Sequence, residues 1–381
     1  MAGIYIHIPF CASRCVYCGF YSTVRLNERQ AYVDAVCREM ELRGPYVAVS
    51  PQPVETLYLG GGTPSQLSGN QLSQLFHHIN KVYGTDLSTL KEVTIECNPD
   101  DITVEYAATL SQFPITRVSM GAQTFDDARL RFLRRRHHAD DVRTAVSRLR
   151  HAGIGNISID LMFGFPGETL ADWQRDIDAA LGKGVEHISA YSLMVEEGTA
   201  LQRMVDAGTC HPIDEEGAAA MYDTLIDRLT AAGYEHYEIS NFARPSFRSR
   251  HNSNYWNATP YIGLGAAAHS YDGQSRQWNV SDIDRYIASI RSGVVPCERE
   301  VLNDDTRYND VITTALRTRE GIHLPSLEKK YRDYLLENAR QSLRNGHLAI
   351  DGDNIHLTRS GLFISDSVMS DLIYILPSSP R

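Results

Sequence analysis

Apolar positions along the first 190 or so residues follow two alternating rhythms. Short runs rich in Val, Ile, Tyr and Thr, bounded by Gly, Pro, Asn or Asp, recur at Ile4–Ile8, Glu55–Leu59, Glu92–Cys97, Thr116–Met120, Asn156–Met162 and His187–Leu193. Their length and composition predict β-strands. Between them, apolar residues return every three or four positions over Glu28–Leu42, Gln71–Tyr83, Asp140–Ala152 and Ala171–Leu181. Several of these segments open on a Ser, Asn, Asp or Thr, which predicts capped helices. Strand and helix alternate six times. The pattern predicts an α/β fold with a parallel sheet and helical crossovers, either open or curled into a partial barrel.

Each predicted strand runs directly into a chemically distinctive loop: FCASRCVYC, GGGTP, ECNPD, GAQTFD, FGFPGE and SLMVEEGT. Ligands of α/β barrels and open sheets bind at the carboxyl ends of the strands, so six such loops predict one shared site. After about residue 235 the alternation breaks. HNSNYW (251–256) and the Gly/Ala-rich YIGLGAAAHSY (261–271) follow, then helical segments from about 281. HLAIDGDNIHLT (347–358) predicts a β-hairpin turning at Asp351-Gly352-Asp353. The expected division is a barrel over 1–240, a connecting region over 241–280 and a smaller α+β, winged-helix-like domain over 281–381.

Composition narrows the partners. The formal net charge is −10, and the one dense basic run is RLRFLRRRHH at 129–138. A polynucleotide binder would carry a basic stripe, so nucleic acid is disfavoured. The run itself predicts either a solvated helix face or a holder for an anionic small molecule. The N-terminal GIYIHI lacks the basic and long apolar regions of a secretory signal, and no apolar run approaches the ~18 residues of a spanning helix. A cytoplasmic protein with reduced thiols is expected. Without a basic amphipathic helix, membrane contact is expected only transiently, through a membrane-bound partner.

Of the seven cysteines, Cys37, Cys97, Cys210 and Cys297 stand singly and are expected to be small buried hydrophobes. Cys11, Cys15 and Cys18 are spaced C-x3-C-x2-C, and three thiols so close admit three readings. A disulfide fits poorly with a reducing compartment and an odd count. Zinc needs a fourth ligand, for which His7 is the candidate. A four-iron cluster normally takes four thiolates, so three would leave one iron open, as ligand-binding metal centres do.

The C-x3-C-x2-C loop after a first strand, followed by GGGTP at 60–64 after the second, resembles the radical S-adenosylmethionine (SAM) superfamily. IYIHIPFC, YLGGGTPS, IECNP, SMGAQTFD, IDLMFGFPGET and ISAYSL further resemble its HemN/HemW branch. The resemblance implies a partial (β/α)6 barrel with a [4Fe-4S] cluster on Cys11, Cys15 and Cys18 and SAM at the open iron. It places SAM against Tyr5, Gly61, Gly62, Thr63, Glu96, Gln123, Arg135 and Asp160. Gln123 and Asp160 also suit capping or turn roles, and Arg135 stands in Arg134-Arg135-Arg136, where the family usually reads Gly-Arg.

Two departures separate the sub-branches. The porphyrinogen-oxidising members resemble C-x3-C-x2-C-x-C, whereas position 20 here is Phe. HNSNYW resembles the H-N-x-x-Y-W motif of HemW-type heme chaperones, which implies His251 as a heme ligand beside the flat Tyr255-Trp256 pair. On residue physics alone, the same stretch reads first as a loop whose His and Asn satisfy backbone groups while Trp256 packs into the core. His269 is a further candidate near the site, and the pairs His77-His78 and His137-His138 are expected at the surface. The expected function is a heme chaperone with heme or porphyrin as ligand. Its expected partners are acceptor hemoproteins, an electron donor and a second copy of the chain. The alternative is oxygen-independent oxidation of coproporphyrinogen III.

Overall fold

A computed structural model of the chain describes residues 3–44 and 53–375; the outermost residues of the expected division, 1–2 and 376–381, lie outside them. All six predicted strands form: β1 (Gly3–Ile8), β2 (Thr56–Gly61), β3 (Glu92–Cys97), β4 (Arg117–Gln123), β5 (Asn156–Phe163) and β6 (His187–Ser192). They lie side by side in chain order, every neighbouring pair parallel. The predicted helices appear as Arg29–Leu42, Gly69–Tyr83, Ala139–His151 and Leu170–Leu181. Two of them start on reciprocal capping boxes, Ser68 with Gln71 and Thr169 with Asp172, which satisfy the first free N–H groups. Short crossover helices at Val104–Leu110 and Asp127–Phe132 span too few residues to show a period.

Strand alternation sorts the chemistry. Ile4, Ile6 and Ile8 on β1, Leu57 and Leu59 on β2, and Val93 and Ile95 on β3 are wholly buried in the main apolar core. Val118 and Met120, Ile157 and Ile159, and Ile188 continue that face. Since successive side chains point to opposite faces, the intervening residues share the other face, inside the curl of a partial barrel. They are Tyr5 and His7; Thr56 and Tyr58; Glu92, Thr94 and Glu96; Arg117, Ser119 and Gly121; Ser158 and Asp160; His187 and Ser189. The apolar face folds the barrel at roughly 1.5–3 kcal/mol per fully buried Leu or Ile. The polar face lines its lumen.

The sheet does not end with β6. β8 (Asn241–Ala243) pairs antiparallel with β6, and β7 (Glu235–Glu238) with β8. On the other side β9 (Tyr261–Leu264) pairs parallel with β1, followed by β10 (His269–Tyr271), β11 (Ser275–Asn279) and β12 (Cys297–Val301). The order is β12-β11-β10-β9-β1-β2-β3-β4-β5-β6-β8-β7. Residues 241–280, expected as a connector, therefore extend both flanks of the barrel, and the sheet runs on to Val301. Buried Glu39 secures the β9–β12 flank: it accepts from Gly265 N (2.7 Å), Asn279 Nδ2 (2.8 Å) and the Tyr286 hydroxyl (2.7 Å), and pairs with Arg43.

The C-terminal region has its own apolar cluster, including Tyr308, Ile312, Leu335, Ile355, Leu357 and Leu372. Its three-stranded antiparallel sheet, β13 (Ile322–His323), β14 (Leu348–Asp351) and β15 (Asn354–Leu357), contains the predicted hairpin. The hairpin turns through Gly352 at φ +57°. This unit caps the β7 edge: Thr318 bridges Glu238, Ile239 N donates to Arg317 O and Arg319 N to Tyr237 O, both at 3.0 Å. At the opposite edge, every residue of β12 is exposed. Among the described residues no helix is long and apolar enough to cross a membrane.

Expectations for two residues fail, as does one of the two readings of the basic run, the solvated face. Cys297 is exposed, because it sits on that outer edge. His137 is buried, with a ring nitrogen 3.2 Å from Ala122 O, whereas His138 is exposed. The basic run 129–138 is no single face either. Arg129 pairs with Glu168, Asp172 and Asp176, Arg136 pairs with Asp100 and Asp101, and Arg135 turns inward.

Candidate functional site

The loop after β1 is pinned at both ends. Thr23 N donates to Pro9 O (2.7 Å) and Cys11 N to Thr23 O (2.9 Å), while Gly62 N and Thr63 N donate to Ile8 O and Phe10 O. This brings the cysteine loop against the glycine loop. Cys11, Cys15 and Cys18 are free and half-buried, and all three line one cavity of about 410 Å³ at the carboxyl end of the strands. Gly61, Gly62, Thr63, Glu96, Gln123, Arg135 and Asp160 line the same cavity. So do Tyr17, Asn98, Ser119 and Tyr191, which lie within the cysteine loop and the IECNP, SMGAQTFD and ISAYSL stretches but carry no distinctive residue chemistry of their own. Phe20 (71% exposed) and Met194 (65% exposed) form an apolar rim.

The donor set suits an iron–sulfur cluster and a zwitterionic ligand beside it. Burial pushes the Cys11 and Cys18 thiols up, and a bound cationic centre would reverse that by taking them as thiolates. Thr63 Oγ1 donates to Cys11 Sγ at 3.4 Å, and Arg135 Nη1 lies 3.7 Å from Cys15 Sγ. Among the described residues no three His, Cys, Asp or Glu side chains gather closely enough to hold a single metal ion. His7, the fourth ligand that zinc would need, has both ring nitrogens engaged, one with the Tyr5 hydroxyl and one with Tyr21 O, each at 3.0 Å.

The backbone around the cavity is shaped for close approach. Gly61 sits at φ +108°, and a Cβ there would collide with the His7 ring; one at Gly62 would lie 2.7 Å from Ile8 O. Gln123 holds φ +65° at an irregularity in the β4–β5 pairing, a strained conformation of the kind that persists where a site demands it. Arg135 Nη2 donates to Asn98 Oδ1 and Gly121 O, both at 2.6 Å, while its buried Nε has no protein partner. A carboxylate is a natural acceptor for that donor.

The carboxylates are poised differently. Burial, with Asp160 nearby, pushes Glu96 up to about 7, against the opposing pull of the Tyr58 hydroxyl, Gly61 N–H and Arg117. Burial also raises Asp160, opposed by hydrogen bonds from Ser189 and Ser119 and by the Arg117 and Arg135 charges. Tyr5 lies one layer below the cavity lining, its ring 6.1 Å from that of Tyr58. His269 is exposed on β10, stacked on Trp278, and is not among the cavity's lining residues.

His251 occupies the other end of the lumen. HNSNYW forms the short helix Arg250–Trp256, capped by Ser249. Buried Glu92 receives its leading N–H groups, from Arg250 at 2.8 Å and His251 at 3.1 Å. The His251 ring is 1% exposed, with Nδ1 2.9 Å from Thr56 Oγ1 and Nε2 2.9 Å from the Tyr255 hydroxyl. Thr56 and Gly3 begin their strands and the cysteines follow the end of β1, so the two ends lie roughly 16 Å apart at ~3.3 Å per residue. Burial lowers His251 to about 3, which keeps the ring neutral. Trp256 carries the Arg317 guanidinium over its ring at 4.9 Å.

A sequence profile of the Radical SAM superfamily matches residues 5–180. The chain is 35% identical to the heme chaperone HemW of Bacillus subtilis (strain 168) over 375 residues, 97% of this chain and 98% of that protein. It is 35% identical to the heme chaperone HemW of Mycobacterium tuberculosis (strain ATCC 25618 / H37Rv), covering 97% of this chain and 94% of that one. In fold it matches the coproporphyrinogen III oxidase HemN of Escherichia coli, a radical SAM enzyme. The TM-score is 0.84 at 21% identity, covering 98% of this chain and 90% of that one.

Proposed function

Since the chain belongs to the HemW family of the radical SAM superfamily, we propose that it is a cytoplasmic heme chaperone. It would hold a [4Fe-4S] cluster and SAM, bind heme, and hand the heme to acceptor hemoproteins. The observation that carries this reading is the single cavity on which Cys11, Cys15 and Cys18 open beside Gly61–Thr63, Glu96, Gln123, Arg135 and Asp160. The cluster would supply an iron open to ligand and a source of single electrons.

The chain's own residues do the rest. The three cysteines anchor the cluster, and Gly61 and Gly62 admit the amino acid end of SAM. Glu96 accepts hydrogen bonds from its amino or ribose groups, and the free Nε of Arg135 meets its carboxylate. Heme is the cargo, with His251 its proposed iron ligand. With Nε2 and Nδ1 both partnered, His251 reaches an iron only once Tyr255 withdraws and the motif helix swings out of the barrel floor. The Arg317 contact to Trp256 couples that movement to the C-terminal unit.

The test presents heme and coproporphyrinogen III separately to protein reconstituted without oxygen, with SAM and reductant. The expected result is heme transfer to an apo-hemoprotein without porphyrinogen turnover. Turnover of coproporphyrinogen III would instead establish the oxidase reading.

A further inference from the structure

The two ends of the lumen are joined through Tyr58, a side chain that no cofactor role has absorbed. The Tyr58 ring lies face to face with the His251 ring, centroids 5.1 Å apart and planes 28° from parallel. At its other end the Tyr58 hydroxyl donates to Glu96 Oε1 at 2.6 Å, and Gly61 N donates to Glu96 Oε2 at 3.0 Å. Gly60 makes room for this pair: a Cβ there would lie 2.6 Å from the Tyr58 ring and 2.9 Å from Glu96 Oε1.

We propose that Tyr58 is a positioning residue for the SAM pocket: braced on its face by His251, it fixes the Glu96 carboxylate through its hydroxyl and makes the HNSNYW helix part of the pocket's floor. The proposal rests on the reading of Glu96 as a SAM contact. The groups facing Glu96 are Tyr5 from β1, Tyr58 and Gly61 N from β2, Arg117 from β4, Asp160 from β5 and Tyr255 from the motif helix. Burial and Asp160 disfavour its ionised form, Arg117 and Gly61 N favour it, and the Tyr58 hydroxyl favours it by donation. Tyr58 itself is pushed well above the ordinary tyrosine range, chiefly by burial, so it remains the donor.

The sign follows. An ionised Glu96 is the better acceptor for SAM, so affinity falls as pH falls through its pKa, and removing the Tyr58 donor raises that pKa. SAM affinity is measured calorimetrically on the full-length, anaerobically reconstituted protein between about pH 6 and 9, bracketing the perturbed carboxylate. In Tyr58→Phe the midpoint of the profile should move up by about one pH unit, a tenfold change in ionisation constant typical of a lost hydrogen bond to charge. Affinity at the alkaline end should stay near wild type. His251→Ala, which removes the brace, should move the midpoint the same way, and His251→Phe, which restores a flat ring, should bring it back. SAM's own ionisation is common to all variants and cancels in the comparison.

A Tyr58→Phe profile superimposable on wild type, or weakened equally at every pH, overturns the positioning role. An unmoved His251→Ala profile overturns the brace. In both cases Glu96→Gln would still abolish the pH dependence, leaving the SAM reading intact. A Glu96→Gln profile identical to wild type defeats that reading itself.

Discussion

Cys11→Ala, reconstituted with iron and sulfide in the absence of oxygen, should retain almost none of the roughly four irons expected of the parent protein. Three thiolates are the minimum set for a four-iron cluster with one iron left to a ligand, and no other cysteine lines the cavity except Cys97. Cys97 cannot substitute, because it is buried on the apolar face of β3 with its thiol held well above the usual range by that burial. The loss should be local. Cys11 is half-buried in a loop pinned by backbone hydrogen bonds, so far-ultraviolet circular dichroism should be unchanged. Cys37→Ala and Cys297→Ala serve as controls and should keep the full iron content. Four irons surviving in Cys11→Ala would sink the cluster assignment.

The second large effect lies at the opposite end of the lumen. Glu92→Ala should lower stability by about 3–5 kcal/mol, the cost of breaking a buried charge system from one side. Glu92 is 2% exposed and accepts from Thr94 Oγ1, Ser249 Oγ, Arg250 N and His251 N. It is also the negative charge that acts most strongly on Arg117, which is 1% exposed and has its Nε and Nη1 without hydrogen-bond partners. The substitution orphans four donors and leaves Arg117 less compensated. Against a total of ~5–15 kcal/mol for a typical domain, the midpoint of urea unfolding should drop sharply. Glu92→Gln, which keeps a carbonyl acceptor, should recover part of it. A drop of less than about 1 kcal/mol in Glu92→Ala would show that the motif helix holds its place without this carboxylate.

The barrel was readable because its strands alternate so regularly. Ile4, Ile6 and Ile8 mark one face, and Tyr5 and His7 between them mark the other. The cavity was readable because strand-end loops carry Cys, Gly, Glu and Asp in distinctive company. The lumen's lower layers are harder to read, although their signal is present: Glu92, Arg117 and His187 each sit in step with the polar face of a strand. What a single strand cannot reveal is which partners meet across the barrel. The Tyr237 hydroxyl, from an edge strand, lies 2.7 Å from His187 Nε2, and that closure depends on curvature. His251 shows the same limit. Its motif suggested a residue offered to a ligand, while the fold buries it between Thr56 and Tyr255, a fact of packing that spacing does not encode. His137 departs from its exposed, basic neighbours because its ring turns under the chain onto Ala122 O.

The two flanks of the long sheet end in different ways. β12 carries Glu298, Arg299 and Glu300 in its middle, charges that deter another strand from adding to that side. β7 relies on a neighbour: its edge is paired with Arg317–Arg319 of the C-terminal unit. Cutting the chain after Val301 would strip that cover and open the backbone groups of Tyr237 and Ile239 beside the aromatic Tyr237. The shortened protein should self-associate, visible as high-mass species in size-exclusion chromatography, so the final fifth of the chain acts as the barrel's guard against aggregation.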